Sequence, residues 1–167
     1  MKKLKEIIKT YWMLFISAAI IILLFKMVFI IAIIPSESME DTLKIGDITI
    51  GYRLKKDYKR GDIIVLKDPE NSRRLLCKRI IGEEGDHIEI TENAVYINDK
   101  ELKEDYTKED YIELGINDYY VPEGCIFVLG DNRNNSNDSR FWEDPYVKKE
   151  NIKAKILCGI APIKRLY

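Results

Sequence analysis

The chain carries a single histidine, His87, and only three cysteines, Cys77, Cys125 and Cys158, with no Cys-x-x-Cys pair. That scarcity argues against a zinc site of His and Cys ligands, and neither a metal nor any other cofactor is expected. The odd cysteine count allows one disulfide at most, and the three side chains read as small buried apolar groups. Charge of one sign is not in excess either. The formal net charge is −1, which gives no basis for a nucleic-acid partner. There is no internal repeat and no low-complexity tract. With 33% charged and 46% hydrophobic residues in 167, a disordered tail, a collagen-like fibre and a polytopic transporter are all excluded.

What is present is unevenly spread. Residues 1–34 hold five lysines and one glutamate, whereas residues 35–167 hold 22 basic against 27 acidic residues. A basic, apolar head precedes a mildly acidic body. Residues 11–25, YWMLFISAAIIILLF, are free of charge. A helix over 7–26 would match a hydrocarbon core of about 30 Å and bring Lys26 to the far interface, where its amine can snorkel to water. Lys2, Lys3, Lys5 and Lys9 lie on the near side and predict that residues 1–6 stay cytoplasmic. A cleaved signal peptide has a similar basic start, but usually a shorter apolar core and a small-x-small site. Ile33-Ile34-Pro35 offers no such site, so an uncleaved single-pass anchor in the cell membrane is expected. Residues 27–34, MVFIIAII, are rich in Ile and Val and end at Pro35, and so read as a first strand, either buried on both faces or dipping toward lipid.

The body, residues 27–167, changes to period two. Short strands are predicted at 47–52, 62–67, 75–81, 86–91, 94–98 and 125–130, with 156–163 closing the sheet. AVYIN-DK-EL reads as a hairpin, and residues 101–118, acidic and tyrosine-bearing, as a loop or excursion. The pattern after residue 35 contains no long amphipathic helix. The expected fold is mainly β: a small antiparallel β-barrel or coiled sheet, outside the cell, preceded by one transmembrane helix.

With so few metal ligands and one histidine, a hydrolase of this composition needs another general base. A lysine serves if desolvation lowers its pKa. Lys78 qualifies, flanked by Leu75, Leu76, Ile80 and Ile81; Lys55 and Lys56 lie in polar sequence and should stay charged. A neutral lysine could activate a serine hydroxyl. His87, after Asp86 at a strand start, reads as structural.

Four segments carry a resemblance: Pro35-Ser36-Glu37-Ser38-Met39-Glu40-Asp41-Thr42-Leu43, Arg60–Val65 (RGDIIV), Lys78–Asp86 (KRIIGEEGD) and Gly130–Arg140 (GDNRNNSNDSR). In that order they are similar to the boxes of the bacterial type I signal peptidases, the Ser-Lys membrane proteases that remove signal peptides from exported preproteins. Asp41 and Glu84 stand where the family usually has proline. The resemblance implies that Ser38 is the nucleophile and Lys78 the general base. It implies an oxyanion hole formed by the Ser36 hydroxyl and the Ser38 N–H. Ser136 would aim the Lys78 amine, Asp138 and Arg140 would hold that loop, and Arg79 and Asp131 would support the site. Met39 would lie beside the substrate groove, which should accept small side chains at the first and third positions before the scissile bond. The partners implied are exported preproteins and the bilayer. A non-catalytic, membrane-tethered β-domain that binds a protein is the alternative reading.

Overall fold

The computed structural model describes residues 2–54, 57–109 and 117–162; Lys55, Lys56 and the middle of the 101–118 excursion lie outside these. Helix α1 spans Lys2–Val28. No glycine or proline interrupts the sequence before Pro35, so nothing breaks it earlier. Its stretch Lys9–Val28 is long and apolar enough to cross a membrane and is not covered by the rest of the protein. Strand β1, Phe29–Ile33, follows without a linker. The expected strand at 27–34 therefore begins two residues late: Met27 and Val28 remain helical, and strand pairing takes over at Phe29. The join is stiffened by the Arg53 N–H, which donates to Val28 O at 2.9 Å. The rings of Phe25, Phe29 and Tyr52 continue it, with centroids 5.0 and 5.7 Å apart in turn.

The strands that follow are β2 Asp47–Tyr52, β3 Ile63–Lys67, β4 Leu75–Gly82, β5 His87–Ile90, β6 Val95–Ile97, β7 Lys100–Glu101, β8 Asn117–Tyr120, β9 Cys125–Leu129, β10 Val147–Lys148 and β11 Ile152–Pro162. Seven of them make one sheet in the order β1-β2-β11-β3-β4-β9-β10, and four make a second in the order β7-β6-β5-β8. Every pairing is antiparallel. The predicted hairpin is the β6–β7 turn, where Asn98 and Asp99 both take positive φ (50° and 64°), the conformation a two-residue hairpin favours.

Alternation along β4 and β9 explains where the core lies. Ile80, Ile126 and Val128 join Ile64, Leu66, Trp142, Val147 and Ile152 on one face. Ile81, Phe127 and Leu129 join Ile88, Ile90, Val95 and Val121 on the other, between the two sheets. β4 and β9 are thus buried on both faces, and polar side chains on them are forced into the interior.

Three expectations need correction. The last strand starts at Ile152, not residue 156, because Ile152 and Ala154 are buried while Lys153 and Lys155 alternate with them. The 101–118 excursion is not all loop, since β8 begins at Asn117 and pairs with β5. Of the cysteines, all free, Cys77 and Cys125 are half-buried but Cys158 is exposed.

Candidate active site

The residues singled out from the sequence converge on one cleft of about 470 Å³, lined by Ile34, Pro35, Ser36, Ser38, Met39, Leu76, Cys77 and Lys78 among others. Ser38 sits on the tight turn after β1 and is nearly buried. Its hydroxyl lies 3.3 Å from that of Ser36. Lys78, on β4, is 3% exposed, and its Nζ donates to Ser136 Oγ at 2.9 Å. Burial holds the Lys78 pKa below the ordinary lysine value; Asp138 and Asp131 pull it back up, and Arg140 pushes it further down. Burial also pushes the Cys77 thiol up to about 12, so this neighbour is uncharged at ordinary pH.

Met39 lines the cleft but is wholly buried, packed with Ile34 and Leu43 beneath the serine turn. It forms the floor rather than a rim. His87 is remote in kind: it lies on β5 in the second sheet, stacks on Tyr120 at 4.4 Å and contacts Asp118 at 3.0 Å.

Supporting residues occupy two buried ion pairs. Arg79 points to the face opposite Lys78 and grips Asp131 twice, Nε to Oδ1 at 2.8 Å and Nη2 to Oδ2 at 2.6 Å. Its Nη1 also donates to Gly61 O, which ties in the RGD segment. Asp138 and Arg140 pair at 2.8 and 2.9 Å with both side chains fully buried, and Asp138 also accepts the Gly130 N–H. Removing one partner of such a pair strands a buried charge and costs about 3–5 kcal/mol.

The 130–140 loop also clamps the serine turn. Asn132 N–H donates to Ser38 O at 3.2 Å, and its side-chain amide to Glu37 O at 3.1 Å. Gly130 is required by close approach. A Cβ there would stand 2.3 Å from Ser136 Oγ and 2.4 Å from Ser38 O. Gly130→Ala is therefore expected to force these two segments apart, lowering stability by about 1–3 kcal/mol in a thermal melt.

Several of these residues gave no individual signal in the sequence. Thr42 donates to Asp131 Oδ2 at 2.5 Å and lies inside the serine segment, as Asn132 and Arg133 lie inside the last one. Glu104, which pairs with Arg133, and Tyr106, whose ring lies against the Arg79 guanidinium, come from a stretch that read only as an acidic, tyrosine-bearing loop. Glu84, at a place where the resemblance expects proline, instead accepts the Gly124 N–H at 3.0 Å and pairs with Lys149 at 2.8 Å, so a side chain fastens this turn.

The comparisons with known proteins agree with one another. A family model described as "Signal peptidase, peptidase S26" matches residues 5–159. A probable signal peptidase I-2 of Synechocystis is 38% identical over 143 residues, covering 80% of this chain and 63% of that protein. A signal peptidase I of Leptolyngbya laminosa is 37% identical over 145 residues, covering 80% and 69%. The chain thus spans less than two thirds of the Synechocystis relative. The crystal structure of a signal peptidase I from Enterococcus faecalis is similar at 33% identity with a TM-score of 0.51, covering 61% of this chain and 97% of that one.

Proposed function

The chain belongs to the signal peptidase family, peptidase S26, and from that premise we propose that it is a membrane-tethered serine endopeptidase that removes signal peptides from exported preproteins. The observation that carries this reading is the shared cleft: a serine on a clamped turn and a buried lysine with a lowered pKa line it together. A bare binding domain has no use for a lysine desolvated in this way.

In the proposed mechanism neutral Lys78 takes the Ser38 proton as Oγ attacks the scissile carbonyl. The Ser38 N–H and the Ser36 hydroxyl stabilise the oxyanion. The Lys78 ammonium then protonates the leaving amine, which frees the mature protein and leaves an acyl-enzyme. Lys78 next deprotonates a water that attacks the ester and restores Ser38. Ser136 keeps the amine aimed throughout. Ile34, Met39 and Leu76 give the cleft an apolar wall, and the preference for small side chains before the cut is carried over from the family resemblance.

The direct test is to incubate the purified, detergent-solubilised chain with a preprotein bearing alanines at the first and third positions before the cut. Cleavage after the first of these supports the reading, and an intact preprotein overturns it. Ser36→Ala should lower kcat about 10²–10³-fold with little change in KM, because the hydroxyl acts on charge that develops only in the transition state. Steady-state kinetics would read the split, and a KM effect alone would make Ser36 a binding residue.

The proposed location is the cell membrane, with α1 spanning it, the N-terminus cytoplasmic and the β-domain outside. Impermeant thiol labelling of intact cells tests this in a Cys158→Ser background, since Cys158 is itself exposed. Lys103→Cys should label and a cysteine at the N-terminus should not. The reverse pattern would invert the topology.

A further inference from the structure

The segment Leu102–Glu109 follows β7 and touches two active-site loops and strand β4. Arg133, its side chain 1% exposed, donates Nη1 to Glu104 Oε2 at 2.8 Å and Nη2 to Glu104 Oε1 at 2.5 Å. The Tyr106 hydroxyl donates to the same carboxylate at 2.7 Å. The Tyr106 ring lies against the Arg79 guanidinium, 3.8 Å from carbon to centroid. Lys108 adds a second contact to the 130–140 loop, its N–H donating to Asp131 O at 3.3 Å, and reaches the serine turn, its Nζ donating to Glu40 Oε2 at 3.1 Å.

These contacts fall beside the chemistry. Arg79 follows Lys78 on β4, Arg133 precedes Ser136 by three residues, and Glu40 follows Ser38 by two. Arg133 also donates Nε to Gly130 O at 3.1 Å and accepts, through its own carbonyl, from Arg140 at 2.6 Å. Gly130 in turn abuts both Ser136 Oγ and Ser38 O. A chain of contacts therefore runs from Glu104 through Arg133 and Gly130 to the two hydroxyl-bearing residues.

Apolar packing does not account for how the segment is held. Leu102 packs against the inter-sheet core. Beyond it, a cavity of about 180 Å³ opens between the segment, Arg133 and the Asn93–Ala94 turn. The grip is ionic and directional.

We propose that Leu102–Glu109 is a strap that sets the geometry of the reacting groups, with Glu104 and Tyr106 as positioning residues. The proposal rests on the Ser38–Lys78 reading above. Neither residue lines the cleft, so both act through Arg133 and Arg79. A displacement of about 1 Å at the reacting atoms is enough to cost a catalytic factor near 10².

The test compares wild type with Glu104→Gln, Tyr106→Phe and Tyr106→Ala in the full-length, detergent-solubilised chain. Active sites are first counted by stoichiometric acylation with a serine-directed reagent, and kcat and KM are then expressed per titrated site. Failure of the wild type to acylate at Ser38 overturns the nucleophile reading and the strap with it. With an acylating wild type, the strap predicts a kcat 10–100-fold lower for Glu104→Gln and Tyr106→Ala at nearly constant KM. Tyr106→Phe keeps the ring over Arg79 and loses only one hydrogen bond, so it should fall no more than a few-fold. Tyr106→Ala is the deciding variant if Glu104→Gln does not fold. The pH–rate midpoint should move upward in the weakened variants as water reaches Lys78 among Asp138, Asp131, Arg140 and Cys77. Unchanged kcat per titrated site, with only the active fraction or melting temperature reduced, would make the segment structural and overturn the proposal. A rise in KM at constant kcat would overturn it as well.

Discussion

Ser38→Ala is expected to abolish preprotein cleavage while leaving a folded, membrane-inserted protein. The change removes one oxygen, and the contacts that shape the turn do not use it. Asn132 holds the Ser38 carbonyl and the Glu37 carbonyl, and the Leu43 N–H closes on Met39 O at 2.7 Å. Among the described residues, the side-chain partner lost is the Ser36 hydroxyl. Removing a nucleophile that acts in concert with its base lowers kcat on the order of 10⁶-fold. Cleavage assays with a purified preprotein, beside thermal melts of both proteins, read the two halves of the expectation. Wild-type processing by the alanine variant would move the nucleophile elsewhere.

Lys78→Met is expected to be as damaging to activity and harmless or favourable to stability. Methionine keeps the apolar stem among Leu76, Ile80 and the cleft wall but cannot accept a proton. In the wild type, burial lowers the Lys78 pKa from 10.5, so the rate should rise with pH through a midpoint below that value. The linkage to folding has the matching sign. A lysine whose folded pKa lies below its unfolded one opposes folding fully at pH below the folded value. The opposition fades as pH rises toward 10.5, because the unfolded chain then binds more protons. Wild-type melting temperature should therefore gain on that of Lys78→Met as pH rises through this window. At neutral pH the methionine variant should melt at the same temperature or higher. If the variant cleaves normally and His87→Ala does not, the base is histidine.

Period-two alternation made β2 legible to the residue, 47–52, and placed Lys78 inside a buried strand, because such patterns are local. β8 and β10 were not legible. NDYY follows an acidic run and VK is two residues long, and both are strands only because β5 and β9 offer them an edge. The helix–strand join at Val28 could not be placed within an unbroken apolar run that suits either state. The site residues were readable through the resemblance of four segments to a known family, together with the apolar flanks of Lys78. Glu104 and Tyr106 escaped because an acidic loop looks alike whether it is solvated or pinned to a buried arginine. Cys158 was misjudged because composition alone does not say which face of a strand is covered.

The unbroken passage from α1 into β1 makes the molecule a gauge. A flexible tether would let the cleft sample many heights above a bilayer, whereas here Val28 ends the helix and Phe29 is already sheet. Five residues of strand, about 16 Å of chain, separate the end of the helix from the serine turn. Under the proposed function, with α1 in a membrane, the cleft would stay within that length of chain from the end of the helix, and a substrate's scissile bond would have to come to it there. A preprotein whose own apolar segment ends too near or too far must stretch, unwind or tilt to reach it. Under the proposed function, selection among exported chains would then depend on reach as well as on side-chain size.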